Sequence, residues 1–287
     1  MKTTRQKLQA NQPIKLFGRH LSFFMGLLLF CSMNSSCSWF QRETEIESAQ
    51  KDVEAARYDE AVFKLEKLVK SHPESKDALD AARMGTKITF LEIKNYEKAL
   101  FFYKHLVLYS PNESERLESQ KKVAEIYFER LSDHGQAVTE LNKLLQLKHH
   151  PEEELRFRMN LAKANFYLSR FQQAEAEVDL VMEKNIPADM LFDAQLLKGN
   201  IYFSTKQLEK AIEIFKKIME TSPEKARDEH VGVSLAICYE EKNDFASARE
   251  VLNKIKPTYP NPEFIETKLR RLEQRQNQLP GARGLKR

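Results

Sequence analysis

Apolar residues in this chain recur at helical spacing in short runs separated by polar turns, most clearly from Leu196 to Pro223, LLKGNIYFSTKQLEKAIEIFKKIMETSP. Gly199 and Tyr202 lie three residues apart, and Ala211, Phe215 and Ile218 follow at spacings of four and three, so each set falls on one helical face. The stretch predicts two antiparallel helices joined by a tight turn. A hairpin this small cannot cover its own outer apolar half and needs neighbours of its own kind.

Those neighbours are present. The arrangement in QLEKAIEIF recurs as RYDEAVFKL, NYEKALFFY, HGQAVTEL, RFQQAEAEV and DFASAREVL. Its alanines are Ala61, Ala99, Ala137, Ala174, Ala211 and Ala248, separated by 38, 38, 37, 37 and 37 residues. A period held that closely over six units signals an array of helical hairpins. Pro73, Pro111, Pro151, Pro187, Pro223 and Pro260 keep the same beat, and a proline is expected to end the second helix of each unit. A small residue recurs in the first helix as Gly85, Ala124, Ala162, Gly199 and Ala236, where it allows the paired helices to approach closely.

These residues resemble the tetratricopeptide repeat family. The match is carried by Leu161, Ala162, Phe171 and Ala174, by Gly199, Tyr202, Ala211, Phe215 and Pro223, and by Leu235, Ala236, Tyr239, Phe245, Ala248 and Pro260. The resemblance implies an all-α fold, a right-handed α-solenoid of about six hairpins over residues 44–261, and the lack of a Gly/Ser linker between repeats predicts one continuous superhelix. About thirteen helices are expected, with a capping helix over residues 262–278 that carries Phe264, Ile265, Leu269 and Leu272. The weakest first helix, EIESAQKDVEAA, stands at the start, as suits a terminal unit.

Residues 1–37 differ in kind. Lys2, Arg5, Lys7, Lys15 and Arg19 form a basic start without an acid, followed by the apolar run LSFFMGLLLF. That pattern describes an export signal, and its apolar core is too short for a membrane-spanning helix of about 20 residues. Ser35 and Ser36 before Cys37 resemble the lipobox of bacterial lipoproteins, with a short linker over residues 38–43. The resemblance implies lipid on Cys37 and a protein held at the periplasmic face of the envelope, with outer-membrane sorting from Ser38. Ordinary cleavage and an uncleaved anchor are the other readings of the same residues. With the signal removed, Cys238 is the only other cysteine, and its setting in LAICYEE reads as a small buried hydrophobe.

Removing the signal also changes the charge. The whole chain has 46 basic and 42 acidic residues, and the signal holds five of the basic ones. The near balance that remains argues against nucleic acid as a partner. The end of the chain, residues 279–287, reads as a disordered basic tail.

Phe90, Phe128, Phe166 and Phe203 recur at gaps of 38, 38 and 37 residues. They read either as filling between hairpins or as a column lining a groove, together with Met159, Lys163, Tyr167, Leu196, Asn200 and Val233. Glu240 and Glu241 follow in the last unit and would turn such a wall acidic. An apolar groove with polar edges suits an extended segment or helix of a partner protein. No nucleophile elbow, HExxH, glycine-rich phosphate loop or CxxC pair occurs. His149, His150, Glu152, Glu153 and Glu154 gather in one turn, where solvated polar residues are the ordinary reading. No metal, cofactor, catalytic residue or small-molecule substrate is therefore expected. A lipoprotein signal ahead of about six repeats resembles the BamD type of barrel-assembly lipoprotein. It is also similar to the pilotins that serve secretins, and an accessory to cell-wall enzymes is the remaining alternative.

Overall fold

A computed structural model describes residues 45–278, so the readings of residues 1–37, of the linker and of the basic tail lie outside the described residues. The described residues are α-helical with no strand. Helix α1 spans residues 45–54, followed by α2 (Tyr58–Ser71), α3 (Lys76–Lys87), α4 (Tyr96–Tyr109), α5 (Glu113–Glu125), α6 (His134–Gln146) and α7 (Pro151–Tyr167). Then come α8 (Phe171–Met182), α9 (Ala188–Ser204), α10 (Leu208–Thr221), the short α11 (Pro223–Asp228), α12 (Val231–Glu241), α13 (Phe245–Ile255) and α14 (Pro262–Gln278). Six hairpins are present, α1/α2, α3/α4, α5/α6, α7/α8, α9/α10 and α12/α13, and α14 packs on α13 as a cap. The chain divides into two compact units, with the boundary after Arg116.

All six periodic alanines are 0% exposed, so each is a point where no larger side chain fits. The glycines of the first helices do the same from the other side. A Cβ on Gly199 would stand 2.5 Å from the Phe215 ring, and one on Gly85 would stand 2.6 Å from Phe102. The first helices of the second unit are buried on two faces. On α7, Phe157 and Leu161 join the core with α6, whereas Met159 and Ala162 join the core with α8 and α9. Their apolar residues therefore run around the helix instead of forming one stripe.

Each hairpin turns through a residue in the left-handed region: Ala56, Lys94, Ser132, Ser169, Lys206 and Asn243, each five residues before its alanine. Four of these turns share one hydrogen-bond pattern. The Ser169 amide donates to the Phe166 carbonyl at 2.9 Å and the Arg170 amide to the Asn165 carbonyl at 2.8 Å, and α1, α9 and α12 close in the same way. The second and third hairpins differ. There the first helix ends in a π turn, Ile88–Glu92 or Ile126–Arg130, closed by bonds from Ile93 to Ile88 and from Leu131 to Ile126.

A π turn takes up one extra residue, and the burial pattern locates it. In α7 and α12 the last buried pairs, Ala164 with Asn165 and Cys238 with Tyr239, lie five and four residues before the turn residue. Ile88 and Thr89 lie six and five residues before Lys94. The units with a period of 38 are the two that contain a π turn.

Two sequence expectations change. Pro151 and Pro223 open helices α7 and α11 instead of ending their predecessors, because the missing amide hydrogen costs nothing at a first helical position. The first helix of the sixth hairpin is broken into α11 and α12 around Glu229 and His230. The weak α1 is held by charge as well as packing. Asp52 is 5% exposed and accepts from Arg57 and Lys64, both at 2.5 Å. Among the described residues no helix is long and apolar enough to cross a membrane.

Gly199→Ala should destabilise the protein by about 1–3 kcal/mol through overpacking against Phe215, read as a lower denaturation midpoint. Ser169→Gly should instead raise stability by up to about 1 kcal/mol, because glycine enters the left-handed region without steric cost.

His105 supplies a pH dependence. It is 7% exposed, and burial pushes its pKa down against a hydrogen bond to the Pro73 carbonyl that favours the charged form. Its Nε2 has no hydrogen-bond partner among the described residues. The unfolded ring titrates near about 6.5 and takes up a proton before the folded ring does. Stability from this site is therefore full above that pH and is lost as the pH falls below it. Thermal melts of His105→Phe across this range should show a shallower acid slope than the parent; an unchanged slope would assign it to other groups.

Candidate functional site

Phe90, Phe166 and Phe203 each follow directly on the last buried pair of a first helix, and Phe128 follows the buried Ile126 and the half-buried Tyr127. Three meet the ring two residues past their own hairpin's turn in the same edge-on geometry. Phe90 meets Tyr96 at 5.8 Å between centroids, Phe128 meets His134 at 5.7 Å, and Phe166 meets Phe171 at 5.7 Å. In the fifth hairpin the corresponding residue is Leu208, and Phe203 lies under the Lys206 ammonium, 5.4 Å from the ring centre. Each ring is half-buried, so this position clamps the turn and also presents a ring edge outward.

In the second unit these rings join a continuous aromatic surface. Tyr167, 59% exposed, stacks on His134 at 4.6 Å and touches Phe128 at 6.4 Å and Phe166 at 6.0 Å. The period brings His134 here, since it holds the place of Tyr96 and Phe171. That signal was available in the sequence, which instead drew attention to the phenylalanines.

The other expected groove residues separate. Met159 and Val233, 5% and 8% exposed, are core residues and offer no side chain to a ligand. Leu196 and Phe203 pack, partly buried, on the core of α9 to α14, and Asn200 is half-buried on α9. Lys163 pairs with Asp193 at 3.4 Å and does not stand free. Phe90 lies in the first unit and the other expected residues in the second.

Lys163 is one of a series of ion pairs that join successive elements of the array. In the second unit Lys121 reaches Glu153 at 2.5 Å, Lys206 reaches Glu241 at 2.5 Å, and Arg275 reaches Glu240 at 2.9 Å. The Lys121 ammonium holds the Glu153 carboxyl below the usual carboxylate range. Glu240 and Glu241 are thus both neutralised, and the acidic end expected after Phe203 does not form. His149 places Nδ1 2.5 Å from the Leu147 carbonyl, and Glu154 is bound by Arg158. Among the described residues no three His, Cys, Asp or Glu side chains gather as a metal site.

Residues 202–268 match the family model of the tetratricopeptide repeat. The fold is similar to that of PilW, described as a type IV pilus biogenesis factor, at 17% identity and a TM-score of 0.51, covering 79% of this chain and 98% of that one. It is also similar to a tetratricopeptide repeat protein from Parabacteroides merdae at 17% identity and a TM-score of 0.50, covering 82% and 88% of the two chains. The MamA protein is similar at 20% identity and a TM-score of 0.50, covering 64% and 96%. No curated relative matches the sequence. At these identities the likeness is one of fold.

Phe166 and Tyr167 should respond differently to truncation. Phe166→Ser should lower the melting temperature by several degrees, since it removes a half-buried ring from the turn. Tyr167→Ser should shift it by no more than about 2 °C, as expected for an exposed side chain.

Proposed function

We propose that this chain, whose hairpins are tetratricopeptide repeats in fold and, over residues 202–268, in sequence, is a non-enzymatic scaffold. On this reading it is tethered by lipid on Cys37 at the periplasmic face of a bacterial envelope, where it organises an assembly of envelope proteins. The carrying observation is the aromatic surface of Phe128, His134, Phe166 and Tyr167. Half-buried rings locked by their own turns leave Tyr167 exposed on a rigid base, and large rings held in place dominate interface energetics. A partner segment laid across them covers apolar area without first ordering the scaffold. The basic start, apolar core and Ser35-Ser36-Cys37 sequence support the tether.

Two assemblies fit such a scaffold: barrel insertion, and the pilotin-like delivery of secretins. PilW, to which the fold is similar, is described as a type IV pilus biogenesis factor.

Intact mass of the membrane fraction should show a chain that begins at Cys37 and carries acyl groups, and Cys37→Ala should move the protein to the soluble periplasm. A variant that stays in the membrane fraction would refute the lipid tether. Capture from detergent-solubilised envelopes with the parent and with Tyr167→Ser tests the surface. Barrel proteins or secretins should be held by the parent and lost with the variant.

A further inference from the structure

The sixth hairpin breaks the pattern at one point. Helices α7 and α9 run unbroken for 17 residues each, whereas here α11 and α12 are separated by Glu229 and His230. His230 has φ of 56°, and it is the one residue among the seven non-glycine positive-φ positions that is not a hairpin turn. Strain of this kind is kept only where the surroundings fix it, and it clusters at functional sites.

The break accompanies a cleft of about 470 Å³ between the end of α10, α11, the start of α12 and α13. Its floor is apolar, formed by Met219, Ala226, Leu235, Val251 and Ile255. Gly232 lies at this floor, where an added Cβ would stand 2.8 Å from Ile255 Cγ2 and 3.4 Å from Met219 Cε. His230 and Tyr259 line one wall, 5.2 Å between ring centres, and behind them Tyr259 stacks on Phe264 at 5.8 Å.

The rim carries charges of both signs. Lys216, Arg227 and Lys254 face two carboxylates, Glu220 and Glu250, and His230 adds a further titratable group. Elsewhere in this unit Lys121, Lys163 and Lys206 are matched to acids on the next hairpin. Here Arg227 meets only its neighbour Asp228, at 3.4 Å, Lys216 lies 5.5 Å from the centre of the Tyr239 ring, and Lys254 has no ion pair among the described residues.

We propose that this cleft binds a segment of a partner protein in which a bulky apolar side chain stands beside acidic residues. The apolar side chain enters the floor, and the carboxylates meet Arg227 and Lys254. The volume lies within the range of side-chain and small-ligand pockets, and Arg227 and Lys254, which no acid of another hairpin meets among the described residues, select the sign of the flanking residues. This site is separate from the aromatic surface of Tyr167 and does not depend on its role.

The test is fluorescence anisotropy with the full chain in non-ionic detergent and two labelled synthetic dodecapeptides. Each has a central Leu-Phe pair, flanked by glutamates in one peptide and by lysines in the other. The glutamate peptide should bind at least tenfold more tightly and weaken as salt is raised. In Arg227→Glu/Lys254→Glu, both exposed positions, its affinity should fall at least tenfold while the lysine peptide gains, with the melting temperature unchanged. Equal binding of the two peptides, no binding of either, or an affinity untouched by the double variant would overturn the proposal. Loss of binding with Tyr167→Ser and not with the double variant would assign the peptide to the aromatic surface and equally overturn it.

Discussion

The fold depends on how closely the two helices of each hairpin approach. A fully buried alanine on the second helix and a small residue on the first set that distance, and the left-handed turn five residues before the alanine fixes the angle at which the chain re-enters. Alanine tolerates no added volume at 0% exposure, and the turn carries steric cost because none of its six residues is glycine. Packing therefore holds each turn in a conformation that its own residues do not favour. In this respect the hairpins are specified by their contacts more than by local propensity, in keeping with units that need neighbours to be stable.

Much of this architecture is legible in the sequence because it is periodic. The alanine spacing locates every hairpin, and the helical spacing of Phe215 and Ile218 locates a core face. What the sequence conceals is where the thirty-eighth residue of the longer units goes. An extra loop residue and a π turn leave the same numerical trace in the alanine period. They differ only in whether the buried positions ahead of the turn slip by one, as Ile88 and Thr89 do relative to Ala164 and Asn165.

The candidate site was less legible, for a definable reason. A half-buried ring at a hairpin turn satisfies both readings of the phenylalanine column: it clamps the turn with one edge and faces outward with the other. Periodicity reports the position and is silent on the division between the two edges. Met159 and Val233 show the same limit from the opposite side, since helices buried on two faces leave no apolar position that spacing alone assigns to a groove. The ion pair of Lys163 leaves no local trace in the sequence, because its partner, Asp193, lies on the next hairpin.

Positions that repeat are committed to stacking: their residues serve the contact between one unit and the next, and their charges are paired across it. Features that break the repeat carry no such obligation. His230 sits outside the turn series, its helix is divided where its counterparts are continuous, and the cations at the adjoining cleft are not matched across hairpins. The aromatic surface combines the two cases. Phe128 and Phe166 are held by the period, whereas Tyr167 has no periodic duty and projects from them. In a repeat protein the scaffold supplies rigidity at the recurrent positions, and selectivity is drawn from residues such as Tyr167 and Arg227 that the recurrence leaves unassigned.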